Sequence, residues 1–361
     1  MQTAIPCTFM RGGTSRGLYF VLSDLPSDTT TRDRVIIELY GNNADNFISG
    51  VGGDNSVMNK VAIVSKSASA DADIDYCFGQ VNSAQGIVDT GPTCGNMLAG
   101  VGPFAIERGL VSAQPGTTII HIRDVNTGAL VTVEVQTPEA RVEYDGDTRL
   151  GGLVEAAAPI PVTFLSLAGN KTGHMLPTGK AQDMIDGVPV SLVDIAMPMV
   201  LINATSLGLQ GNETAPELNQ QTALLERLEQ IRLQASLLMG LGDAQGKVIP
   251  KMAILSAPRH GGHITSRYFV PDRCHPAHAV SGAFCVSGAS VVPDTVANKI
   301  IQHPDSMPSQ IAIEHPSGTI DVTLDASIKD SVVTIHSAGM LRTAKRIMSG
   351  MVYVSDKIWR P

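Results

Sequence analysis

The sequence predicts an α+β protein of two pseudosymmetric domains, each a strand-rich, barrel-like shell around a central helix. Residues 60–65 (KVAIVS) match residues 251–256 (KMAILS), and residues 14–18 (TSRGL) match residues 205–209 (TSLGL). Both matches have the same displacement of 191 residues. Each half also has an apolar, Gly- and Ala-rich segment followed by two strand-like runs. Self-similarity at so long a period indicates two copies of one domain.

The composition favours a compact globular protein and narrows the classes of partner. The 361 residues are 43% hydrophobic and 17% charged, which is too apolar for a disordered chain. The formal net charge of −8 and the lack of clustered Lys and Arg argue against nucleic acid. No secretory signal and no long apolar run is visible, so we expect a cytoplasmic protein without a membrane partner.

The first half alternates strand signals with two helix signals. Apolar spacing predicts a helix over residues 31–40, which Gly41 ends. Residues 95–108 are apolar on all sides, so we expect this helix inside the shell. Glycine-rich turns are predicted at 12–17 and 50–54. Strands are predicted at 5–10, 18–22, 61–64, 74–81, 117–122 and 129–136.

The second half repeats this order and adds two features. Residues 275–278 correspond to residues 91–94, here with a displacement of 184, and precede a second enclosed helix over 279–291. Strands at 311–314 and 319–324 surround Gly318. The added features are a long helix over 217–239 and a tail with a helix at 338–348 and a strand at 351–354.

The domain boundary is predicted where Pro177, Gly179, Gly187 and Pro189 cluster. This boundary gives domains of residues 1–182 and 183–349. We expect the C-terminal strand, within residues 350–361, to return to the first domain.

Lys60 and Cys94 are the candidate catalytic residues. Cys94 directly precedes the enclosed helix, where unpaired backbone N–H groups and the helix dipole favour a thiolate or a bound carboxylate. Lys60 begins an apolar strand, where desolvation lowers the pKa of an amine toward the range of a general base. We therefore expect both residues to face one small anionic substrate.

Each candidate has a structural alternative. A lysine at a strand end is often solvated, and Lys251 occupies the place of Lys60 in the second copy. The repeat alone does not choose between the two lysines, but the glycine-rich stretch 52–56 favours Lys60 because its backbone donors can approach a ligand. His278 matches Cys94 in the second copy and is either a buried structural histidine or a proton carrier facing Cys94.

Other reactive side chains give weaker signals. Cys7, Cys77, Cys94, Cys274 and Cys285 are odd in number and lack CxxC or metal-ligand spacing, so we expect neither a disulfide scaffold nor a structural metal. His260, His263 and His275 have no carboxylate at a ligand-like spacing. Arg11, Arg259 and Arg267 are either solvated or able to bind carboxylates through paired N–H groups.

Four motifs together resemble a known family. They are residues 10–17 (MRGGTSRG), the stretch 52–60, Cys94-Gly95-Asn96 and Arg342-Thr343-Ala344. Over essentially its whole length the chain resembles the family that contains 2-methylaconitate isomerase and 4-oxalomesaconate tautomerase. That family is similar in fold to diaminopimelate epimerase, in which two cysteines face each other. Here His278 holds the second place, and Arg16 stands where many family members have lysine.

The resemblance implies a cofactor-independent isomerase that moves a proton at carbon in a small unsaturated di- or tricarboxylate. The particular reaction implied is the keto–enol tautomerisation of 4-oxalomesaconate in gallate degradation. Lys60 would remove the proton, and whether Cys94 or His278 returns it stays open, as does a homodimer. No metal or organic cofactor is required. The expected substrate-binding residues are Arg11, Ser15, Gly53, Asn55, Ser56, Gly95, Asn96, His278 and Ser281.

Three other functions stay open at this point. A 1,3-allylic or cis–trans isomerase of an aconitate-type acid would use the same groups. A non-catalytic carboxylate-binding protein would use them without turnover. An amino-acid racemase would need a second thiol, and His278 stands in its place.

Overall fold

The structure is a computed structural model that describes residues 1–41, 47–151, 153–270, 272–301, 309–329 and 332–361. The chain forms two compact units. Unit 1 comprises Met1–Phe164 and Leu341–Pro361, and unit 2 comprises Leu165–Met340. Each unit contains a mixed sheet and a buried helix, so the predicted α+β class with two pseudosymmetric domains is confirmed.

The elements of unit 1 follow the predicted order of strands and helices. The helices are α1 (Thr29–Tyr40) and α2 (Gly95–Glu107). The strands up to the end of the first segment are β1 (Gln2–Gly12), β2 (Ser15–Val21), β3 (Lys60–Lys66), β4 (Ile74–Asn82), β5 (Ile87–Asp89), β6 (Gly116–Asp124), β7 (Leu130–Thr137) and β8 (Ile160–Leu165).

The elements of unit 2 repeat this order with additional helices. The helices are α3 (Ala215–Asn219), α4 (Thr222–Leu238), α5 (Val280–Ser290) and α6 (Val296–Ile300). The strands are β9 (Asp183–Ile185), β10 (Val188–Ile195), β11 (Met197–Asn203), β12 (Lys251–Ser256), β13 (Ile264–Phe269), β14 (Ser309–His315), β15 (Gly318–Lys329) and β16 (Val332–Arg342). The last strand, β17 (Ala344–Ser355), belongs to unit 1 and pairs antiparallel with β1.

The two units share one pattern of strand pairing. In unit 1, β1–β2 is antiparallel, β2–β3 parallel, β3–β4 antiparallel, β4–β6 parallel and β6–β7 antiparallel. In unit 2, β10–β11, β11–β12, β12–β13, β13–β14 and β14–β15 follow the same succession of directions. The duplication that the sequence predicts is therefore present in the topology.

The strand registers fix which residues of the two units are equivalent. Gly17 of β2 pairs with Lys60 of β3, and Met199 of β11 pairs with Lys251 of β12. Since β3 and β12 both begin at their lysine, the predicted match of residues 60–65 with 251–256 is confirmed.

The predicted match of residues 14–18 with 205–209 is wrong. Residues Ala204–Leu207 form a 3-10 turn after β11, and the equivalent turn in unit 1 is Leu22–Asp24 after β2. Short motifs of Ser, Thr and Gly suit many kinds of turn. The connection between β11 and β12 contains α3 and α4 and is longer than its equivalent in unit 1. It brings the displacement between the equivalent residues Lys60 and Lys251 to 191, which equals the displacement of the two unrelated motifs by coincidence.

Helix α2 is enclosed, as predicted. Residues from Gly95 to Ala105 are buried except Asn96, and α2 packs against β1, β2, β3, β4 and β7. A Cβ atom at Gly100 would lie 2.4 Å from the Tyr19 hydroxyl, so only glycine allows this approach. In unit 2, α5 is buried from Gly282 to Ser290 and packs against β10, β11, β14 and β15.

Helix α1 packs on the other face of the unit 1 sheet. The Asp28 carboxylate accepts the Thr31 N–H at 2.8 Å and caps the helix, which ends before Gly41 at a φ of 94°. The Tyr40 hydroxyl accepts the Leu18 N–H at 2.9 Å and donates to the Lys60 carbonyl oxygen. Tyr40 therefore bridges β2 and β3 at the residue where β3 begins.

Local patterns mispredicted three features. The cluster of Gly and Pro at 177–189 forms the turns around β9 and its hairpin to β10, so the observed boundary lies at 164/165 and not at 182/183. The predicted helix 217–239 is broken into α3 and α4. The predicted helix 338–348 is strand: its first residues end β16, which pairs with β15, and its last residues begin β17, which pairs with β1. These pairings override the helix propensity of the Ala, Leu, Lys, Arg and Met residues. The chain accordingly returns to unit 1 at Leu341 and not at 350.

None of the helices in the part of the chain that the structure describes combines the length and apolar character needed to cross a membrane.

We predict that Gly17→Ala strongly destabilises unit 1. An added Cβ would lie 1.7 Å from the Lys60 carbonyl oxygen and 3.1 Å from Met97 Cε, so β2 and β3 must separate. We expect the free energy of unfolding to fall by about 3 kcal/mol in a denaturant titration. The control is Gly350→Ala in β17, where an added Cβ meets nothing within 4 Å and we expect a change below about 0.5 kcal/mol. Equal losses in both variants would contradict the close approach.

Candidate active site

The start of α2 lies against the turn that joins β1 and β2. A Cβ at Gly12 would be 2.4 Å from the Asn96 carbonyl oxygen, and a Cβ at Gly13 would be 2.2 Å from Asn96 Oδ1. Gly13 also has a φ of +50°. Asn96 Nδ2 donates to Thr14 Oγ1 at 3.0 Å and to Ser15 Oγ at 3.4 Å. The glycine turn therefore fixes the Asn96 side chain at the first turn of α2.

Residues just before β17 complete this turn. Arg342 Nε donates to Asn96 Oδ1 at 3.1 Å, and the Gly13 N–H donates to the Thr343 carbonyl oxygen at 2.8 Å. Arg11 Nη1 donates to the Gly13 carbonyl at 2.8 Å and to Thr343 Oγ1 at 3.0 Å. Burial lowers the pKa of Arg11. Arg11 Nη1 is therefore occupied by protein acceptors. Binding of substrate by the other guanidinium nitrogens of Arg11 stays a prediction.

Cys94 is the N-cap residue of α2 and is half-buried. A Ser, Thr, Asp or Asn at this position usually accepts an N–H of the first turn, but Cys94 makes no side-chain capping bond. The Cys94 side chain therefore does not occupy the N–H groups of the first turn, and binding of an anion by those of Gly95 and Asn96 stays a prediction. The Tyr76 hydroxyl donates to the Cys94 carbonyl at 3.4 Å, and burial, followed by the charge of Cys94, raises the pKa of Tyr76.

Lys60 is positioned by a glutamine that sequence reasoning missed. Lys60 Nζ donates to Gln80 Oε1 at 2.8 Å and lies 5.0 Å from the centre of the Phe78 ring. Gln80 Nε2 donates to the Asn59 carbonyl at 2.7 Å and to the Ser56 carbonyl at 3.0 Å. These two bonds orient the amide so that its oxygen faces Lys60. A polar residue on the otherwise apolar face of β4 is the signal that would have found Gln80.

The loop before β3 is closed by the Asn59 side chain. Gly53 N–H donates to Asn59 Oδ1 at 2.8 Å, and Asn59 Nδ2 donates to the Gly53 carbonyl at 2.7 Å. Asn55 Oδ1 accepts the Val57 N–H at 3.1 Å and caps the 3-10 turn Ser56–Met58. The structure thus brings Gly53, Asn55 and Ser56 together directly before Lys60, and their contact with substrate stays a prediction.

One face of β4 connects the two candidate catalytic residues. Tyr76, Phe78 and Gln80 are every second residue of β4 and therefore lie on this face, where they span about 13 Å. Tyr76 contacts Cys94 at one end, and Phe78 and Gln80 contact Lys60 at the other. Lys60 and Cys94 therefore contact opposite ends of the same, largely buried face of β4 within unit 1.

Lys251 repeats the geometry of Lys60 without its polar anchor. Its Nζ lies 5.4 Å from the Tyr268 ring centre, as Lys60 lies on Phe78. Burial lowers the pKa of Lys251. By the β12–β13 register Val270 stands where unit 1 has Gln80, and within the described residues Lys251 Nζ forms no hydrogen bond. The two lysines, which the repeat alone does not rank, therefore differ in what holds them.

His278 lies one residue before the helix cap, so the predicted displacement of 184 is wrong by one residue. The N-cap of α5 is Ala279, which is the residue equivalent to Cys94. His278 is 8% exposed and stacks on Tyr268 at 4.8 Å. Its Nδ1 donates to the Ala279 carbonyl and its Nε2 accepts from the Ser266 hydroxyl, both at 2.9 Å.

Burial lowers the pKa of His278 from 6.5 to about 4, so the imidazole is neutral at pH 7. A proton-carrying role for His278 stays a prediction. Ser281, in the first turn of α5, lies with its Oγ 3.2 Å from Met197 Sδ, and its contact with substrate likewise stays a prediction. No group of three or more His, Cys, Asp or Glu side chains in the described ranges is placed to hold a metal ion.

Comparison with known proteins identifies the chain as an isomerase. The structure matches that of methylitaconate-delta-isomerase with a TM-score of 0.89 and 32% identity, covering 99% of this chain and 97% of that one. More particularly, the chain belongs to the family described as PrpF protein, whose profile matches residues 2–355.

Two relatives also match over nearly the whole chain. The 4-oxalomesaconate tautomerase of Pseudomonas putida is 43% identical over 99% of this chain and 98% of its own length. The (4E)-oxalomesaconate Delta-isomerase of Novosphingobium sp. is 42% identical over 97% of each chain.

We predict that the free energy of unfolding falls at acid pH because the buried His278 must then take up a proton. The pKa of His278 is about 4 in the folded protein and near 6.5 when unfolded. Its contribution is therefore complete above pH 6.5 and is lost as the pH falls from 6.5 to 4, by about 3 kcal/mol. Urea titrations at several pH values should show a smaller acid-dependent loss for His278→Gln than for wild type. The exposed His336→Gln is the control and should retain the wild-type slope; a wild-type slope in both variants would refute the assignment.

Proposed function

We propose that this isomerase interconverts the keto and enol forms of 4-oxalomesaconate, a step of gallate degradation. Two relatives above 40% identity over nearly the whole chain carry the name of this acid, which supports the substrate. The observation that carries the proposal is the pairing, within unit 1, of an anchored lysine with an uncapped helix start.

The reaction removes a proton from a carbon beside a carbonyl group and places negative charge on oxygen. Lys60 Nζ, in its uncharged form, accepts the proton from carbon. Its bond to Gln80 orients the nitrogen, so that its lone pair is available to substrate. A second proton reaches the enolate oxygen, so the change is an isomerisation without gain or loss of electrons.

The first turn of α2 stabilises the charge that develops. The N–H groups of Gly95 and Asn96 act as preorganised donors to a carboxylate or enolate oxygen, and they need no reorganisation during the reaction. The Cys94 thiol, at the same end of the helix, supplies or orients the returning proton. Asn96 keeps its place because its side chain is held by Ser15, Thr14 and Arg342.

A 1,3-allylic isomerisation is the second candidate. It is favoured by the two relatives named as delta-isomerases, one of which is a solved structure of high similarity. Both reactions begin with the same proton removal by Lys60. They differ in whether the proton returns to oxygen or to a more distant carbon.

Proton NMR in deuterium oxide should separate the two reactions. We expect the enzyme to place deuterium at one exchangeable methylene of 4-oxalomesaconate while the carbon skeleton keeps its double bond. The spontaneous rate without enzyme is the control, because keto and enol forms also exchange in solution. A double bond that migrates with deuterium at a new carbon would overturn tautomerisation in favour of the allylic reaction.

We predict that Lys60→Met and Lys251→Met have different effects. Loss of a general base should lower kcat of Lys60→Met by about 10³-fold. Lys251→Met should retain kcat within about tenfold, because Lys251 lacks the glutamine anchor that orients Lys60. Circular dichroism and Tm check that both variants are folded. Normal turnover by folded Lys60→Met would remove the base from the mechanism, and the reverse order of losses would assign the base to Lys251.

A further inference from the structure

Unit 2 contains a cavity of about 440 Å³ where β13 and β14 separate. The two strands pair only at Ile264 with Ile313 and at Thr265 with Glu314. Beyond these pairs, Arg267 of β13 and His315 at the end of β14 both line the cavity. The volume lies within the range of small-molecule sites.

This cavity lies on the other face of β13 from the residues around α5. Neighbouring residues of a strand point to opposite faces. Ser266 and Tyr268 point toward His278, which they contact, so Arg267 points away from it. The cavity is therefore distinct from the surroundings of Lys251, which lies on Tyr268.

The acidic group of the cavity is already satisfied by protein donors. Glu314 is 4% exposed, and its carboxylate accepts the N–H groups of Arg259 at 2.9 Å, His260 at 2.6 Å and Gly262 at 3.0 Å. It also accepts the Thr265 hydroxyl at 2.8 Å. Burial alone would raise the pKa of Glu314, but these bonds lower it to about 2. Glu314 is thus a stable, fully bonded anion.

Arg267 is a buried cation on which the carboxylates of Glu213 and Glu314 act electrostatically without forming a close ion pair. It is 7% exposed, and its Nε donates to the Glu213 carbonyl at 2.6 Å. Its Nη1 reaches the Ser266 carbonyl at 3.4 Å. Within the described residues Arg267 forms no ion pair and its Nη2 makes no hydrogen bond. The exposed Arg259 lines the same cavity, so two guanidinium groups and the bonded carboxylate of Glu314 face it, while the Glu213 carboxylate acts on Arg267 from outside the lining.

Unit 1 is an internal comparison, because the same gap between strands is filled there. Asn126 donates to the Phe78 carbonyl at 2.8 Å and accepts the Phe78 N–H at 2.9 Å. Arg123 is paired with Asp75 through bonds of 2.9 and 2.6 Å. By strand register Arg123 is equivalent to Glu314, and Asp75 is equivalent to Thr265. The architecture therefore does not itself require an open cavity with an unpaired arginine.

We propose that this cavity of unit 2 binds the oxyanion group of a small acid, a carboxylate or a phosphate, between Arg267 and Arg259. A guanidinium held at the wall of a cavity with an N–H group free for a ligand can form paired, charge-assisted hydrogen bonds to a carboxylate or phosphate. The site is additional to the one proposed for isomerisation, since unit 2 residues alone line it.

Equilibrium dialysis of the full chain at low ionic strength tests the proposal, with radiolabelled inorganic phosphate and radiolabelled citrate as probes. We expect saturable binding of at least one probe to wild type and at least tenfold weaker binding to Arg267→Met. Arg259→Glu, which changes an exposed side chain, should show the same loss and covers the case in which Arg267→Met does not fold. Arg273→Glu makes an identical charge change at an exposed position outside the cavity and should bind within twofold of wild type.

The two probes identify the source of the oxyanion. Binding of phosphate that citrate does not displace supports a phosphate site, and binding of citrate alone supports a carboxylate site. The loss in Arg259→Glu should occur with isomerase turnover unchanged. The proposal is overturned if neither probe binds saturably up to about 10 mM, or if both cavity variants bind as Arg273→Glu does.

Discussion

The candidate active site depends on one close approach of backbone, that of the β1–β2 turn to the first turn of α2. Gly12 and Gly13 lie where any side chain would overlap Asn96. Because the turn is this close, Thr14 and Ser15 reach the Asn96 amide and the Arg342 guanidinium reaches its oxygen. The Asn96 side chain is therefore held from both ends. Its backbone N–H, and that of Gly95, are left pointing out of the helix beside Cys94.

The two units share one backbone fold, but they differ in the side chains at the positions equivalent to the candidate site. Both units start a strand with a lysine that lies on an aromatic ring of the next strand. Unit 1 adds Gln80 beside that lysine, whereas unit 2 has Val270. Unit 1 starts its enclosed helix with a thiol, whereas unit 2 starts it with Ala279 and buries His278. Among the described residues, unit 1 thus combines an anchored lysine with a cysteine at the start of its enclosed helix, and the equivalent positions of unit 2 do not.

The sequence predicts the parts of this fold that rest on local composition or on a long repeat. The enclosed helix α2 is recognisable because it has no polar face, and the two lysines are matched by a six-residue repeat. The tail was mispredicted because its residues favour helix locally, while the pairing of β17 with β1 joins residues more than 300 positions apart. Gln80 was missed for a similar reason. Its role depends on the carbonyls of Asn59 and Ser56, whose position only the folded loop determines.

The arrangement also explains how a chain of net charge −8 can attract an acidic substrate. Arg11 and Arg342 lie at the helix start, but both donate to protein oxygens and hold the turn. The donors that we propose for the substrate are mainly N–H groups of the first helical turn, which carry partial positive charge without a counterion. Such donors favour an anion over a neutral molecule at short range, and the charge of the whole surface matters little beyond the Debye length. A fixed array of N–H groups also suits a reaction in which removal of a proton from carbon places negative charge on a carbonyl oxygen, because the donors are already in place when that charge develops.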